Sequence, residues 1–219
     1  MARIAIVGGH GKIARQLIGQ LVNRGHAAIA LVRSSEQEKA VAELGAEPGR
    51  LDIEREDVSG FERAFEGCQA VVFSAGAGND GSVERKRTVD LNGSLNSVAA
   101  AERLGIRRFV QVSAINVDQA PDPNSSPAWQ AYVEAKRDAD AALRSSLLEW
   151  TILRPGRLTD GPGSGLVELA PSLERGEVAR ADVAHMIALV LDEPRSAGHQ
   201  WDLVGGSMPI EDALAEALP

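Results

Sequence analysis

Two residues, Tyr132 and Lys136, have the types and the spacing that proton-transfer chemistry requires. They lie four positions apart in a stretch that predicts a helix over residues 128–147, so both side chains project from one face. A phenol ordinarily ionises near pH 10, and a neighbouring ammonium favours the phenolate. Tyr132, the single tyrosine of the chain, is therefore a candidate proton donor or acceptor. The alternative is an amphipathic helix on which the tyrosine packs inward and the lysine is solvated.

The N-terminal residues predict an element that binds phosphates. Residues 3–7 suit a strand buried on both faces, and glycines follow before a stretch with helical spacing begins. In such a strand–turn–helix unit, backbone N–H groups at the start of the helix cradle a pyrophosphate. The spacing Gly8-x-x-Gly11-x-x-Ala14 meets this requirement, and His10 is expected beside the phosphates rather than as a catalyst. The residues predicted to contact the pyrophosphate are Gly8, Gly9, His10, Gly11, Lys12 and Ile13.

The end of the second predicted strand, residues 27–32, favours one dinucleotide over another. Arg33 and Ser34 stand where an Asp or Glu would bond a free ribose 2′-hydroxyl. An arginine followed by a hydroxyl suits a 2′-phosphate instead. The sequence therefore predicts NADP, with NAD the less favoured cofactor. The alternative is a solvated arginine at the end of a strand.

Two further segments are candidates for the adenosine and ribose contacts. Asp52, in a third strand expected over residues 47–53, has an acceptor for the adenine amino group, and Ile53 has a side chain that packs on the ring. The alternative is that Asp52 is a turn residue or a helix cap. Small residues Ala75, Gly76 and Ala77 follow the strand at 70–74 and let the backbone approach a ribose, unless they form a simple turn.

Composition limits the classes of partner. The chain has 219 residues, 44% of them hydrophobic, and a formal charge of −8 from 23 basic and 31 acidic residues. This balance, without a long basic run, disfavours nucleic acid and anionic membranes. The single cysteine, Cys68, is compatible with a reducing compartment. With no targeting segment, no apolar span of roughly 18 residues and no metal-ligand spacing, we expect a cytoplasmic protein without a bound metal.

Strands and helices alternate along the sequence, which predicts an α/β fold with a Rossmann-type, doubly wound parallel sheet. We expect one NAD(P)-binding domain over residues 1–219, present as a monomer or homodimer. Its core covers about residues 1–156, and an abbreviated substrate-side region over about 157–219 wraps the sheet edge and closes one side of a pocket. A loop over residues 117–127 is where a mobile lid is expected.

Seven short motifs together resemble one protein family. They are GGHGKIA at residues 8–14, SAGA at 74–77, VDLNG at 89–93, VSA at 112–114, YVEAK at 132–136, LRPG at 153–156 and DVA at 182–184. On these motifs the chain resembles the atypical branch of the short-chain dehydrogenase/reductase superfamily. Within that branch it is similar to the NAD(P)-dependent epimerase/dehydratase subgroup near the NmrA-like, NAD(P)H-binding proteins.

The resemblance implies roles for further residues. Lys136 would hold the nicotinamide ribose, with Pro155 and Gly156 beside the nicotinamide. The same resemblance extends the cofactor set to Val112, Ser113 and Arg157. It also implies a catalytic set of Tyr132, Lys136, Ser113 and Asp90.

Two positions of that catalytic set depart from the family pattern. Asp90 stands at the position of the superfamily's structural asparagine. Ser113 would polarise the substrate carbonyl, but a shift of one residue would put Ala114 in that position and leave Asn116 as a substitute.

These observations favour an NADP(H)-dependent oxidoreductase or epimerase. Hydride would move between nicotinamide and a small carbonyl or alcohol substrate while Tyr132 exchanges a proton. Two alternatives stay open: a non-enzymatic regulator that binds NADP(H) and reports redox state, and a flavin or quinone reductase that does not need Tyr132.

Overall fold

In the computed structural model, which describes residues 1–78 and 82–219, strands and helices alternate through most of the chain. The strands are β1 (Arg3–Val7), β2 (Ala27–Val32), β3 (Glu47–Arg50), β4 (Ala70–Phe73), β5 (Arg108–Val112), β6 (Glu149–Pro155), β7 (Arg157–Thr159), β8 (Leu166–Ala170), β9 (Glu177–Ala179), β10 (His199–Gly205) and β11 (Met208–Pro209). The α-helices are α1 (Lys12–Asn23), α2 (Ser35–Ala42), α3 (Val58–Phe65), α4 (Val83–Arg85), α5 (Gly93–Arg103), α6 (Pro127–Arg144), α7 (Arg180–Asp192) and α8 (Ile210–Ala217). A π-helical segment, Lys86–Asn92, joins α4 to α5, and a 3₁₀ turn covers Pro194–Ser196. Among the described helices, none combines the length and the apolar character needed to cross a membrane.

Nine strands form one sheet in the order β11-β8-β10-β6-β5-β4-β1-β2-β3. Seven of them, from β10 to β3, are mutually parallel, and β8 runs antiparallel to its neighbours β10 and β11. The strand order reverses between β1 and β4, where Val7 pairs with Phe73 on one side and with Leu31 on the other. The predicted Rossmann-type, doubly wound sheet is confirmed, and this reversal is the point at which such sheets bind ligands.

The alternation of side chains along β1 divides the core into two layers. Ile4 and Ile6 lie in the cluster that contains the buried face of α1 and α7, whereas Ala5 and Val7 lie in the cluster that contains the phenylalanines of α3. A strand covered on both faces needs apolar residues at every position, which explains its continuous hydrophobic run.

The C-terminal region adds strands to the sheet instead of only wrapping its edge. β10 pairs in parallel with β6, and β8 and β11 extend the same sheet beyond it. β7 and β9 form a separate parallel pair that starts directly after Gly156. A Cβ at Gly156 would overlap the carbonyl oxygen of Gly176, so only glycine permits this approach of the two backbone segments.

The third predicted strand ends at Arg50, not at residue 53, because the Asp52 carboxylate accepts a hydrogen bond from the Glu54 N–H and starts a turn. Helix α3 begins at Val58 because Asp57 caps it. Helix α5 is preceded by α4 and by the π-helical segment.

A half-buried arginine, Arg108, joins four segments at the amino-terminal ends of the strands β5 and β6. Its guanidinium donates to the Glu149 carbonyl (2.7 Å), the Thr151 hydroxyl (2.8 Å), the Val190 carbonyl near the end of α7 (2.6 Å) and the Ser196 hydroxyl (2.8 Å). Burial lowers the pKa of Arg108 to about 10. The side chain thus satisfies acceptors that the ends of β6 and α7 leave open.

Replacing Arg108 with alanine is expected to lower the free energy of unfolding by about 3 kcal/mol, because several buried acceptors lose a charged donor together. Urea denaturation measures the effect. The neighbouring Arg107→Ala variant is the control: Arg107 is exposed and pairs with Glu149 at the surface, so we expect a loss below about 1 kcal/mol. Equal losses in the two variants would contradict this role for Arg108.

Candidate functional site

A cleft of about 300 Å³ opens at the carboxyl ends of β1, β2 and β4, next to the reversal of strand order. Glycine turns, two arginine side chains and two carboxylates are among the groups that face it. Its lining residues are Gly8, His10, Gly11, Leu31, Val32, Arg33, Gln37, Leu51, Asp52, Ile53, Glu54, Ser74, Ala75, Gly76, Arg85 and Val89. Residues predicted to contact pyrophosphate, adenine and ribose therefore meet in one space.

The glycine turn presents backbone donors to this cleft. Gly8 has a left-handed φ of +81°, and a Cβ there would lie 2.8 Å from Ala75 Cα, so glycine alone fits. The Gly11 N–H donates to the Gly8 carbonyl (2.8 Å) and closes the turn. Gly11 is also the N-cap of α1, where no described side chain caps the helix. The first N–H groups of α1, over residues 12–14, are thus open to an anion, as a pyrophosphate requires.

The other residues of the glycine turn contact neighbouring segments of the chain. Gly9 is buried, and its N–H donates to a carbonyl at the end of β2. His10 is half-buried and lines the cleft. The Lys12 ammonium bonds Asp160 (2.6 Å), which also pairs with Arg180 (2.5 Å). The pKa of Asp160 is lowered because Lys12 donates to it and Arg180 lies close. Lys12 therefore connects the turn to the C-terminal region.

The end of β2 carries an available positive charge. The Arg33 side chain is exposed, and within the described part of the chain its guanidinium has no hydrogen-bond partner. The Ser34 hydroxyl oxygen caps α2 by accepting from the Gln37 N–H, which leaves its O–H free to donate. Arg50, which sequence reasoning missed, donates to the Arg33 carbonyl and to the Glu38 carboxylate. One of the two acidic side chains in the first turn of α2 is thereby paired, which favours an anionic ligand.

The opposite wall combines a turn with an ion pair. Asp52 lines the cleft, and one of its oxygens accepts from the Glu54 N–H (3.2 Å), as the turn alternative requires. Ile53 lies beside it and packs on the backbone of Gly93. Arg85 pairs with Glu54 (3.2 Å), and both side chains line the cleft. Neither was predicted from the sequence, because an arginine and a glutamate 31 positions apart carry no local signal.

Next to the turn at residues 75–78, four predicted residues come together around a buried ion pair. The Lys136 ammonium donates to the Val112 carbonyl (3.1 Å) and lies 3.5 Å from Asp90 Oδ1. Asp90 Oδ2 accepts from the Ala77 N–H (3.0 Å). Both charged side chains are almost fully buried. Lys136 was expected on the nicotinamide ribose, and in this structure it links β5 and α6 to the turn at residues 75–78.

The environment of Tyr132 corrects one expectation. A neighbouring ammonium was expected to lower its pKa, but burial raises the pKa, and the carboxylates of Asp90 and Asp140 raise it further. The largest cause is burial, because the phenolate would lose its hydration there. The ring itself contacts Trp129, with centroids 5.4 Å apart, and the Lys86 ammonium, 5.4 Å from its centroid. At neutral pH the phenol is therefore protonated.

Ser113 is held by a buried network that sequence reasoning missed. Its hydroxyl donates to Asp140 Oδ2 (2.8 Å), which also accepts from Arg154 Nε (2.9 Å). Burial raises the pKa of Asp140 even though Arg154, Ser113 and Gln111 stabilise the carboxylate. The next position, Ala114, is half-buried. Asp140 follows Lys136 by one helical turn, a spacing that could have identified it.

The loop predicted as a mobile lid is attached to the same network. Asp118, near its start, accepts two hydrogen bonds from the Arg154 guanidinium (2.5 and 2.9 Å). Asn116, the alternative to the serine, has a left-handed φ of 63° and contacts Gln119 instead of the cleft. The loop is therefore connected at one end to a buried cation.

The last predicted cofactor residues lie at the end of β6 and directly after it. The Pro155 carbonyl accepts from the Ile115 N–H (3.1 Å), and the Gly156 N–H donates to the Leu203 carbonyl (2.9 Å). Arg157 is exposed and pairs with Glu177. None of these three, nor Tyr132 or Lys136, lines the cleft in the described part of the chain. The structure thus unites the phosphate, adenine and ribose candidates but leaves the nicotinamide candidates outside the cleft.

The chain is similar in sequence to a known protein family and to proteins of other organisms. The profile of a family described as NAD(P)H-binding matches residues 8–194. An uncharacterised sugar epimerase of Bacillus subtilis is 35% identical over 213 residues, which cover 97% of this chain and 98% of that protein. A UPF0659 protein of Saccharomyces cerevisiae is 38% identical over 218 residues, with 95% of this chain and 96% of that protein covered.

A solved structure shows the same architecture. It is a Bacillus halodurans protein assigned to the NAD-dependent epimerases/dehydratases, with a TM-score of 0.90 and 33% identity. The superposition covers 99% of this chain and 100% of that one. The similarity therefore extends beyond the glycine turn to the C-terminal strands.

The pKa of Tyr132 is directly measurable because the chain has one tyrosine. We expect the near-ultraviolet absorbance of the phenolate to appear in folded protein with a midpoint above 10, and in denatured protein near the ordinary value of about 10. Since the folded pKa is the higher, the associated stability is fully present below pH 10 and is lost as pH rises above it. Tyr132→Phe, which has no phenol, provides the blank. A folded midpoint at or below 10 would contradict the environment described here.

Proposed function

The chain belongs to the NAD(P)H-binding family, and from this premise we propose that it is an NADP(H)-dependent oxidoreductase or epimerase acting on a small carbonyl or alcohol. The resemblance to NAD(P)-dependent epimerases/dehydratases drawn from the motifs is confirmed. The observation that supports NADP most is the cleft itself: the helix N-terminus of α1 faces one part of it and the Arg33 guanidinium faces another, and among the described residues neither has a side-chain partner.

The residues of the cleft fit the cofactor chemically. Backbone N–H groups at the start of α1 are donors for the pyrophosphate, and Arg33 with the Ser34 O–H is a donor pair for a 2′-phosphate. Asp52 and Ile53 suit the adenine, and the turn at residues 75–77 suits a ribose. When bound, the reduced nicotinamide supplies a hydride to an acceptor carbon. The remaining steps belong to the side chains of this protein.

Tyr132 is the group we assign to proton transfer. The phenol is protonated near neutral pH and can pass its proton to the oxygen of a carbonyl that is being reduced, while its raised pKa makes it a weaker acid than a free phenol. Lys136 and Asp90 act on the position of the turn and of α6 through their contacts with Val112 and Ala77. The name of the B. subtilis relative makes sugars reasonable members of a substrate panel.

The cofactor assignment is tested by Arg33→Ala. Loss of the guanidinium is expected to weaken NADPH binding roughly 30-fold, since charge-assisted hydrogen bonds to the 2′-phosphate disappear. NADH binding should change less than about twofold, because it has no group there. Fluorescence or calorimetric titration with each cofactor measures both constants. Arg103→Ala is the matched control: it removes one exposed positive charge from the end of α5. Equal losses for NADPH and NADH would rule out the assignment.

The role of Tyr132 is tested with Tyr132→Phe on a panel of aldehydes, ketones and sugars. We expect the kcat for NADPH-dependent reduction to fall about 100-fold or more, the range of general acid catalysis, with unchanged NADPH affinity. Steady-state kinetics and a cofactor titration separate the two effects. An unchanged kcat in this variant would show that the proton does not come from Tyr132.

One observation favours a second candidate, a reductase of flavins or quinones. The Ser113 hydroxyl donates to Asp140, so in this arrangement it does not donate to a substrate carbonyl. An acceptor that takes its proton from water would need neither Ser113 nor Tyr132. Turnover of a flavin or quinone that survives Tyr132→Phe would support this candidate. Tight NADPH binding without turnover of any acceptor would support the third hypothesis, a regulator that binds NADP(H).

A further inference from the structure

Two helical segments face each other through a matched pair of contacts. Lys86 and Asp90 lie four positions apart in the π-helical segment, and Tyr132 and Lys136 lie four positions apart in α6. The Lys86 ammonium lies over the Tyr132 ring, 5.4 Å from its centroid, and Asp90 pairs with Lys136 at 3.5 Å. The two contacts therefore join the same two segments at positions four residues apart on each.

The two residues of the π-helical segment that make these contacts also hold the turn that follows β4. The Lys86 ammonium donates to the Gly78 carbonyl, and Asp90 accepts from the Ala77 N–H. Two adjacent residues of this turn, Ala77 and Gly78, are thus bonded by Asp90 and Lys86. Lys86 is 7% exposed although it is a lysine, a side chain that is rarely buried without partners. Its two partners, a carbonyl and an aromatic face, account for that burial.

This geometry separates the two lysines by role. Lys136 uses its ammonium on the Val112 carbonyl, on Asp90 and above the Phe73 ring at 5.8 Å, so its contacts lie away from the phenol. Lys86 is the lysine whose charge lies on the Tyr132 ring. A cation over an aromatic face is held by the quadrupole of the ring, and the attraction grows when both groups are removed from water.

We propose that Lys86 is a positioning residue for Tyr132: it holds the ring against the π-helical segment and connects it to the turn at residues 77–78. Lys86 does not exchange a proton itself. Because the same turn is the one proposed to approach the cofactor ribose, Lys86 sets the place of the proton donor relative to the cofactor. The catalytic part of this inference rests on the proposed function, whereas the structural part does not.

The structural part is tested on the full-length protein without any turnover. Tyrosine labelled with ¹³C at the phenol carbon gives a single NMR resonance, because Tyr132 is the one tyrosine of the chain. We expect Lys86→Met to displace this resonance, since the stem stays and the charge over the ring is lost. Lys86→Arg should keep it near the wild-type position, because arginine also binds aromatic faces. Lys39→Met, which alters an exposed lysine on α2, is the matched control and should leave it unchanged.

Two results would overturn the structural part. The first is a Lys86→Met resonance that coincides with the wild type. The second is a Lys86→Arg resonance displaced as far as that of Lys86→Met, because the role requires only a cation. Should Lys86→Met fail to fold by circular dichroism, Lys86→Gln replaces it with the same two criteria.

The catalytic part is tested by a double-mutant cycle on the reductase activity. Lys86→Met is expected to lower kcat about tenfold with NADPH affinity unchanged, and Lys86→Arg should restore most of it. In the Tyr132→Phe background the same change should have no further effect on kcat, since the group that it positions is gone. Additive losses would overturn the catalytic part. If no substrate is turned over, the proposed function fails, and the NMR result still decides whether Lys86 holds the ring.

Discussion

Asp90 is a buried negative charge on which several parts of the site depend. One carboxylate oxygen holds the turn after β4 through the Ala77 N–H, and the other lies within ion-pair distance of Lys136, which bonds the end of β5. Within the described residues, that second oxygen has no hydrogen bond. Burying two charges costs desolvation energy that their attraction does not reliably recover, so such a pair is weak grounds for stability. What the pair does provide is geometry, because the turn, β5 and α6 cannot shift independently while it is intact.

A second buried carboxylate organises the neighbouring strands in a similar way. Asp140 gathers Ser113, Gln111 and Arg154, and Arg154 extends the network to Asp118 in the loop after β5. Burial raises the pKa of Tyr132 and the two carboxylates raise it further, so the phenol stays protonated near neutral pH. The protonation state of the proposed reaction centre is therefore set by groups that do not exchange the proton themselves.

The net charge of −8 is compatible with an anionic ligand because the charges of the cleft are local. The glycine turn offers N–H groups and the positive end of the α1 dipole, and Arg33 adds a cation without an internal partner among the described residues. Arg50 pairs with Glu38 and Arg85 pairs with Glu54, so two negative charges near the cleft have cationic partners. Screening by solvent limits the influence of distant acidic residues, so a few oriented donors outweigh the overall balance.

The sequence by itself determined the Rossmann-type sheet and the glycine turn, because these depend on short-range patterns: apolar runs and the spacing of Gly8 and Gly11. It also identified Tyr132, Lys136 and Asp90 as residues of interest. Only the tertiary structure decided what each of them contacts. That Lys136 is buried against Asp90, that Lys86 lies on the phenol ring and that Ser113 is bonded by Asp140 all follow from segments far apart in the chain. Burial and charge pairing arise from such long-range contacts, and no local spacing encodes them.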